Sequence, residues 1–251
     1  MPGYQDTGLI VAGDVFMGEV DASGNVGALR GPLNVPSLTI TPNTVETIER
    51  QSYKKSTYGQ TLDAVNLPNE AANLTIQFDS LPAIQLAEAL AGKTAVIDVA
   101  ADTVTGEAHT LQEGLWIKLA SGNLVEGSVT VTETASSGDI TADCEIDHDA
   151  GLVKANTAAA ATDVTIDYDT NATSGTRVLG ASEISKPRYI LVQGINLATN
   201  RKVRVEIDRT VLSSDQATEL MGREFITGQL TGSLVTLEGK DSPYTMDMLD
   251  D

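Results

Sequence analysis

Few side chains in this chain have the types and spacing that chemistry requires. Ala91-Gly-Lys-Thr94 matches the end of a phosphate-binding loop. That loop needs a glycine at position 87 and a helix after the lysine. Here position 87 is Ala87, and the helical pattern precedes Lys93. Asp167-Tyr-Asp-Thr-Asn171 has the oxygen spacing of a calcium loop, but Ala172 stands in place of the turn glycine and Val178 in place of the bidentate glutamate. His109 and His148 share no metal-ligand spacing. Asp147 and Asp149 read as a solvated strand face rather than an acid–base pair. The single cysteine, Cys144, excludes an intrachain disulfide and reads as a buried, inert thiol. No Gly-x-Ser-x-Gly elbow occurs. A nucleophile, a base and an electrophilic stabiliser never come together, so the chain reads as a non-enzyme with no catalytic residues, metal ligands or cofactor.

Charge supplies the next constraint. The 251 residues carry 16 Lys and Arg against 35 Asp and Glu, a net charge of −19. Such a chain repels phosphates and does not bind nucleic acid non-specifically. The excess is uneven: the net is −5 over residues 1–95, −12 over 96–175, where only Lys118 and Lys154 are basic, and −2 over 176–251. The middle third is therefore a distinct compositional unit. The first residues, Met-Pro-Gly-Tyr-Gln-Asp, do not read as a secretory signal, and no apolar run is long enough to span a bilayer. The expectation is a soluble protein with no membrane partner.

The elements that position these residues read mostly as strands. Tyr189–Arg209 reads as a β-hairpin: an apolar run to Ile195, a polar turn over Asn196–Asn200, then Val203, Val205 and Ile207 alternating with Lys202, Arg204, Glu206 and Asp208. Residues 13–31 read as a second hairpin turning at Asp21–Asn25, and Val35–Thr41 as a strand. Asn73–Asp79 places Leu74, Ile76 and Phe78 on one face and Asn73, Thr75, Gln77 and Asp79 on the other. Ser80, Pro82 and Gly92 suit the cap positions of a helix over 82–91. Residues 42–68 lack either period and read as an extended loop. Short strands are expected at Leu115–Leu119, Val129–Val131, Cys144–Ile146 and Val164–Tyr168. Ser213 with Gln216 suggests a capping box for a short helix over Ser214–Met221. Phe225–Leu237 reads as a strand, and residues 1–12 and Asp241–Asp251 as extended arms.

Several of these blocks resemble the major tail tube proteins of long-tailed, siphovirus-type bacteriophages. Gly31-Pro-Leu-Asn-Val-Pro-Ser-Leu-Thr-Ile-Thr-Pro42 is similar to that family's second strand, and Lys54-Lys-Ser-Thr-Tyr-Gly-Gln60 to its basic, Tyr- and Gly-containing loop. Asn73–Gly92 resembles its strand–helix unit. Gly194-Ile-Asn-Leu-Ala-Thr-Asn-Arg201 and Arg209-Thr-Val-Leu-Ser213 resemble its C-terminal signature, and Pro243-Tyr-Thr-Met246 its closing arm. Asp143–Lys154 resembles a β motif in the insert of some members, with Cys144 where an aromatic is more usual. Asn200 replaces the more common hairpin glycine and tolerates the same left-handed backbone.

The resemblance implies a mainly β fold: two orthogonally packed sheets with one flanking α-helix and an inserted β-rich subdomain. Core segments 1–95 and 176–251 would flank an acidic insert, 96–175. It implies six subunits per ring, with rings stacked into a virion tail tube that is assembled in the host bacterial cytoplasm. Partners would be the chain itself, tape measure and tail terminator or tip proteins, and passing double-stranded DNA without specific binding. Glu46, Glu49, Arg50, Lys54, Lys55 and Tyr58 fall in the loop that would make ring-to-ring contacts. Lys202, Arg204, Glu206 and Asp208 form a charge-balanced row suited to a subunit contact. Asn73, Thr75, Gln77 and Asp79 are the candidate lumen face. The alternatives are a tube subunit of a tail-like bacteriocin or secretion machine, and a β-rich carbohydrate- or cation-binding module.

Overall fold

Period-two alternation becomes a strand wherever one face meets a core. In the computed structural model, which describes residues 7–214 and 216–249, the chain is mainly β with several sheets and one α-helix. The first strands are β1 (Val11–Val20), β2 (Val26–Leu33), β3 (Ser37–Thr41), β4 (Thr44–Gln51), β5 (Thr61–Glu70) and β6 (Asn73–Phe78), followed by α1 (Ala83–Ala89). Next come β7 (Lys93–Val99), β8 (Asp102–Thr110), β9 (Trp116–Lys118), β10 (Thr130–Glu133), β11 (Cys144–Asp147), β12 (Leu152–Ala155), β13 (Asp163–Thr170) and β14 (Thr173–Leu179). The last are β15 (Lys186–Asn196), β16 (Lys202–Ser213), β17 (Gly228–Leu234) and β18 (Tyr244–Leu249). Two compact units emerge, residues 1–94 with 178–251, and residues 95–177.

In the first unit the strands run β2-β1-β15-β16-β17-β6-β3, with β18 also on β16. The arrangement turns on β16. Its first half, Lys202 to Ile207, pairs with β18, and its second half, Thr210 to Ser213, pairs with β17. Between them Arg188 faces Thr210 while Ile190 faces Ile207, so β16 carries an extra residue. That bulge switches the inward set from Val203 and Ile207 to Thr210 and Leu212. A strand that changes partners through a bulge joins two layers at a corner. Val15, Met17, Ile190, Val192 and Ile207 from one layer pack in a single core with Leu74, Ile76, Phe78, Leu230 and Leu234 from the other.

Strand β6 shows how the sequence sets this. Leu74, Ile76 and Phe78 are at most 1% exposed, each contributing about 1.5–3 kcal/mol by burial. Helix α1 packs on β17 at Gly228, where a Cβ would lie 2.9 Å from Ala89 Cβ. The Asn196–Asn200 turn closes β15 and β16 with Asn200 at φ 60°. A buried charge cluster ties β2, β15 and α1 together. Glu88 Oε1 accepts from Arg30 Nη2 at 2.6 Å and from Arg188 Nη2 at 2.8 Å.

The second unit is a small sandwich. Sheets β10-β13-β8 and β11-β12-β9 send Val131, Val164, Ile166 and Tyr168, and Val153, Ala155 and Ile117, into one core. Tyr168 donates its hydroxyl to Glu107 Oε2, while Glu107 Oε1 is 2.7 Å from His109 Nε2. Burial opposes ionisation of Glu107, but bonds from Tyr168, His109 and the Ala120 N–H outweigh it and hold its pKa below the ordinary value. Burial and neighbouring Asp143 and Asp139 push the Cys144 thiol up, so the thiolate is disfavoured.

Several expectations are corrected. Residues 42–68 are not an extended loop but the hairpin β4–β5. Both its faces are exposed, so no core imposes an alternating pattern. The helix spans Ala83–Ala89 rather than 82–91. Its N-cap is Pro82 with no side-chain cap bond, so Ser80 does not serve, and the left-handed residue at its end is Ala91 (φ 49°) rather than Gly92. No helix forms over the described residues of 214–221; the Ser214 hydroxyl instead donates to the Ala89 carbonyl. The strand expected at Phe225–Leu237 is confined to Gly228–Leu234, and Phe225 is 97% exposed. Tyr244–Leu249 is no free arm but a strand on β16. Residues 1–6, within the expected N-terminal arm, and residues 250–251 lie outside the described residues.

Candidate assembly surfaces

The hairpin β4–β5 gathers all six residues assigned to the stacking loop. Glu46, Glu49 and Arg50 lie on β4. Arg50 pairs with Asp63 across the ladder, its Nε at 2.9 Å, and Glu49 accepts from Thr61 Oγ1 at 3.2 Å. Lys54, Lys55 and Tyr58 lie in the tip. Internal bonds shape that tip: Ser52 Oγ meets Thr57 Oγ1 at 2.7 Å, Thr57 N–H donates to Lys54 O at 3.1 Å, and Gly59 turns at φ 82°. Tyr58 stacks edge-on against Tyr53, centroids 5.9 Å apart. The hairpin body exposes Val45, Ile48, Leu62, Val65 and Leu67 at 45–61%. A two-stranded ribbon is marginal alone, and clustered exposed apolar side chains mark an interaction site.

The row Lys202, Arg204, Glu206 and Asp208 lies on β16 opposite the core-facing Val203 and Ile207. Arg204 pairs with Glu206 within the row, and Asp208 pairs with Lys240 outside it at 3.5 Å. The row belongs to the β18-paired half of β16 as far as Glu206 and ends at the bulge with Asp208.

The face carrying Asn73, Thr75 and Gln77 is wider than one strand. Register places Ser37 and Gln229 on either side of Gln77, Thr39 and Thr231 beside Thr75, and Thr41 and Ser233 beside Asn73. Nine uncharged polar side chains thus form a three-by-three grid on the side of the sheet away from Leu74 and Ile76. Beyond the β17 column lie Ser213 and Val211, with Arg209 further along β16. Asp79 lies past the end of β6, where its carboxylate accepts both of its bonds from Asn34 Nδ2, at 2.6 and 2.7 Å. The grid partners on β3 and β17 were not singled out in the sequence. Their Ser/Thr/Gln alternation was visible, but not their register.

Sequence reasoning also missed Arg30, Glu88, Lys93, Lys186 and Arg188, which converge from separate segments on one cleft. Among the described residues no group of His, Cys, Asp and Glu is arranged to hold a metal, and no helix is long and apolar enough to cross a membrane.

The family model described as "Protein of unknown function UCP028589" matches residues 9–243, and the chain belongs to that family. No curated protein matches it.

Proposed function

We propose that this chain is the repeating subunit of a phage tail tube, forming stacked hexameric rings whose lumen passes genome DNA. The observation that carries the reading is the uncharged grid on β3, β6 and β17. A channel for DNA must not hold phosphate, because each neutralised phosphate adds a salt-dependent holding site. The hydroxyls and amides of the grid wet the wall without supplying that charge, and Arg209 lies outside the grid, further along β16. The layer β16-β17-β6-β3 contributes four strands. Six subunits would give roughly 24 strands; at about 4.8 Å spacing and about 40° tilt these enclose a backbone circle about 48 Å across. Side chains still leave room there for a duplex.

The β4–β5 hairpin supports the same reading. Its exposed apolar faces and basic tip suit an acidic neighbour in the next ring. Negative-stain microscopy of the purified chain, alone and with tail-assembly partners, tests the proposal. Rings or tubes with a central opening are expected. A chain that stays monomeric even with those partners contradicts it.

A further inference from the structure

The chain has 16 basic side chains, and four of them, Arg30, Lys93, Lys186 and Arg188, line one cleft with Glu19, Glu88 and Glu183. For a chain with more than twice as many acids as bases, this concentration of cations is unusual. The cleft has a built floor. Glu88 and Arg188 are 6% and 3% exposed, and Glu88 Oε2 and Arg188 Nε have no hydrogen-bond partner among the described residues. The rim differs from the floor. Lys186 Nζ contacts Glu183 at 2.5 Å, Arg188 Nη1 is 3.4 Å from Glu19, and these two glutamates are 46% and 79% exposed. Lys93 is exposed, and its charge also acts on Glu183.

The rim glutamates lie at the solvent side, where exchange for another carboxylate costs little, while Lys186 Nζ keeps its own bond to the Gly92 carbonyl at 3.0 Å. The cleft also includes Gly27, Ala28 and Arg30 of β2, and β2 is the end strand of its sheet, with one backbone edge unpaired among the described residues. An unpaired edge is a template for another chain. Beside it lies a cleft with four cations against three carboxylates, and most of the remaining charge of the chain is negative.

We propose that this cleft receives carboxylates of a second copy of the chain docking along β2, with Glu19 and Glu183 as the groups displaced. Lys93 and Lys186 make the new pairs, while Arg30, Glu88 and Arg188 keep the floor rigid. The proposal rests on the reading of the chain as a self-assembling subunit.

The test is carbodiimide coupling, which joins an amine to a carboxylate only where they touch, on a mixture of nitrogen-15-labelled and unlabelled full-length protein under conditions that give rings. Mixed-isotope links at Lys93 or Lys186 are expected. Lys93→Gln with Lys186→Gln should weaken self-association in sedimentation about tenfold. Glu183→Gln should strengthen it, an effect that a purely structural pair would not produce. Rings with only same-copy links at these lysines, or unchanged by the lysine variants, overturn the inference and leave the tube reading standing. Absence of self-association under every condition overturns both.

Discussion

Glu88→Gln removes one charge from beneath two arginines and keeps the side chain's shape. The Glu88 and Arg188 side chains are each 4% exposed, so the variant leaves a buried guanidinium with only the exposed Glu19, 3.4 Å away, as counter-charge. Breaking a buried pair in this way costs about 3–5 kcal/mol. For a unit of this size, a kcal/mol shifts the melting temperature by about 2–4 °C, so the expected drop is about 6–20 °C. Arg30→Ala should cost less, about 1 kcal/mol, because the Arg30 side chain is 27% exposed and Arg188 still pairs with Glu88. Urea unfolding followed by far-UV circular dichroism measures the loss. The only tryptophan, Trp116, lies in the 95–177 unit, so its fluorescence reports that unit separately and should not move. Replacing both partners, Glu88→Leu with Arg188→Met, should recover most of the stability. A Glu88→Gln loss under about 1 kcal/mol, or an equal shift in the Trp116 transition, refutes the assignment of Glu88 as the buried tie between α1, β2 and β15.

Three further outcomes are expected. Lys54→Glu with Lys55→Glu should shorten tubes in micrographs while leaving the melting temperature unchanged, since both side chains are exposed at the hairpin tip. The 95–177 unit should lose stability in acid. The Glu107 pKa is lowered on folding, so its contribution is complete above the unfolded value and fades as pH falls below about 4.5 through the folded value; Trp116 fluorescence against pH measures this, and Glu107→Gln should flatten that part of the profile. Thr75→Arg, at the centre of the grid, should permit rings but place one cation per subunit on the face assigned to the lumen. Tubes carrying it should retain duplex DNA at low salt and release it as salt rises, by gel-shift or ejection assay.

What the sequence made legible follows from where a core imposes a pattern. Asn73–Phe78 and the β15–β16 hairpin alternate because one face of each is buried, and both were readable. The β4–β5 hairpin has no buried face on either strand, so its residues follow no period. The bulge near Asp208 and Arg209 breaks no obvious pattern, because Val211 and Leu212 are both apolar and either parity looks plausible. Strand β8 offers only Val104 as an inward apolar residue, in line with the polar Glu107 and His109, too weak a signal to find. Ser213 and Gln216 had capping-box spacing without a helix to cap. Among the surface features, the β6 face was visible as one strand, while the grid and the cationic cleft depend on register and on contacts between distant segments, which spacing along the chain cannot carry.

The most direct test of the central claim is a side-chain-resolution map of an assembled ring. A closed inner wall of β3, β6, β17 and β16 strands is expected, with Thr39, Thr75 and Thr231 facing the opening. A ring whose opening is lined by other strands, or in which the grid is buried against a neighbour, contradicts it.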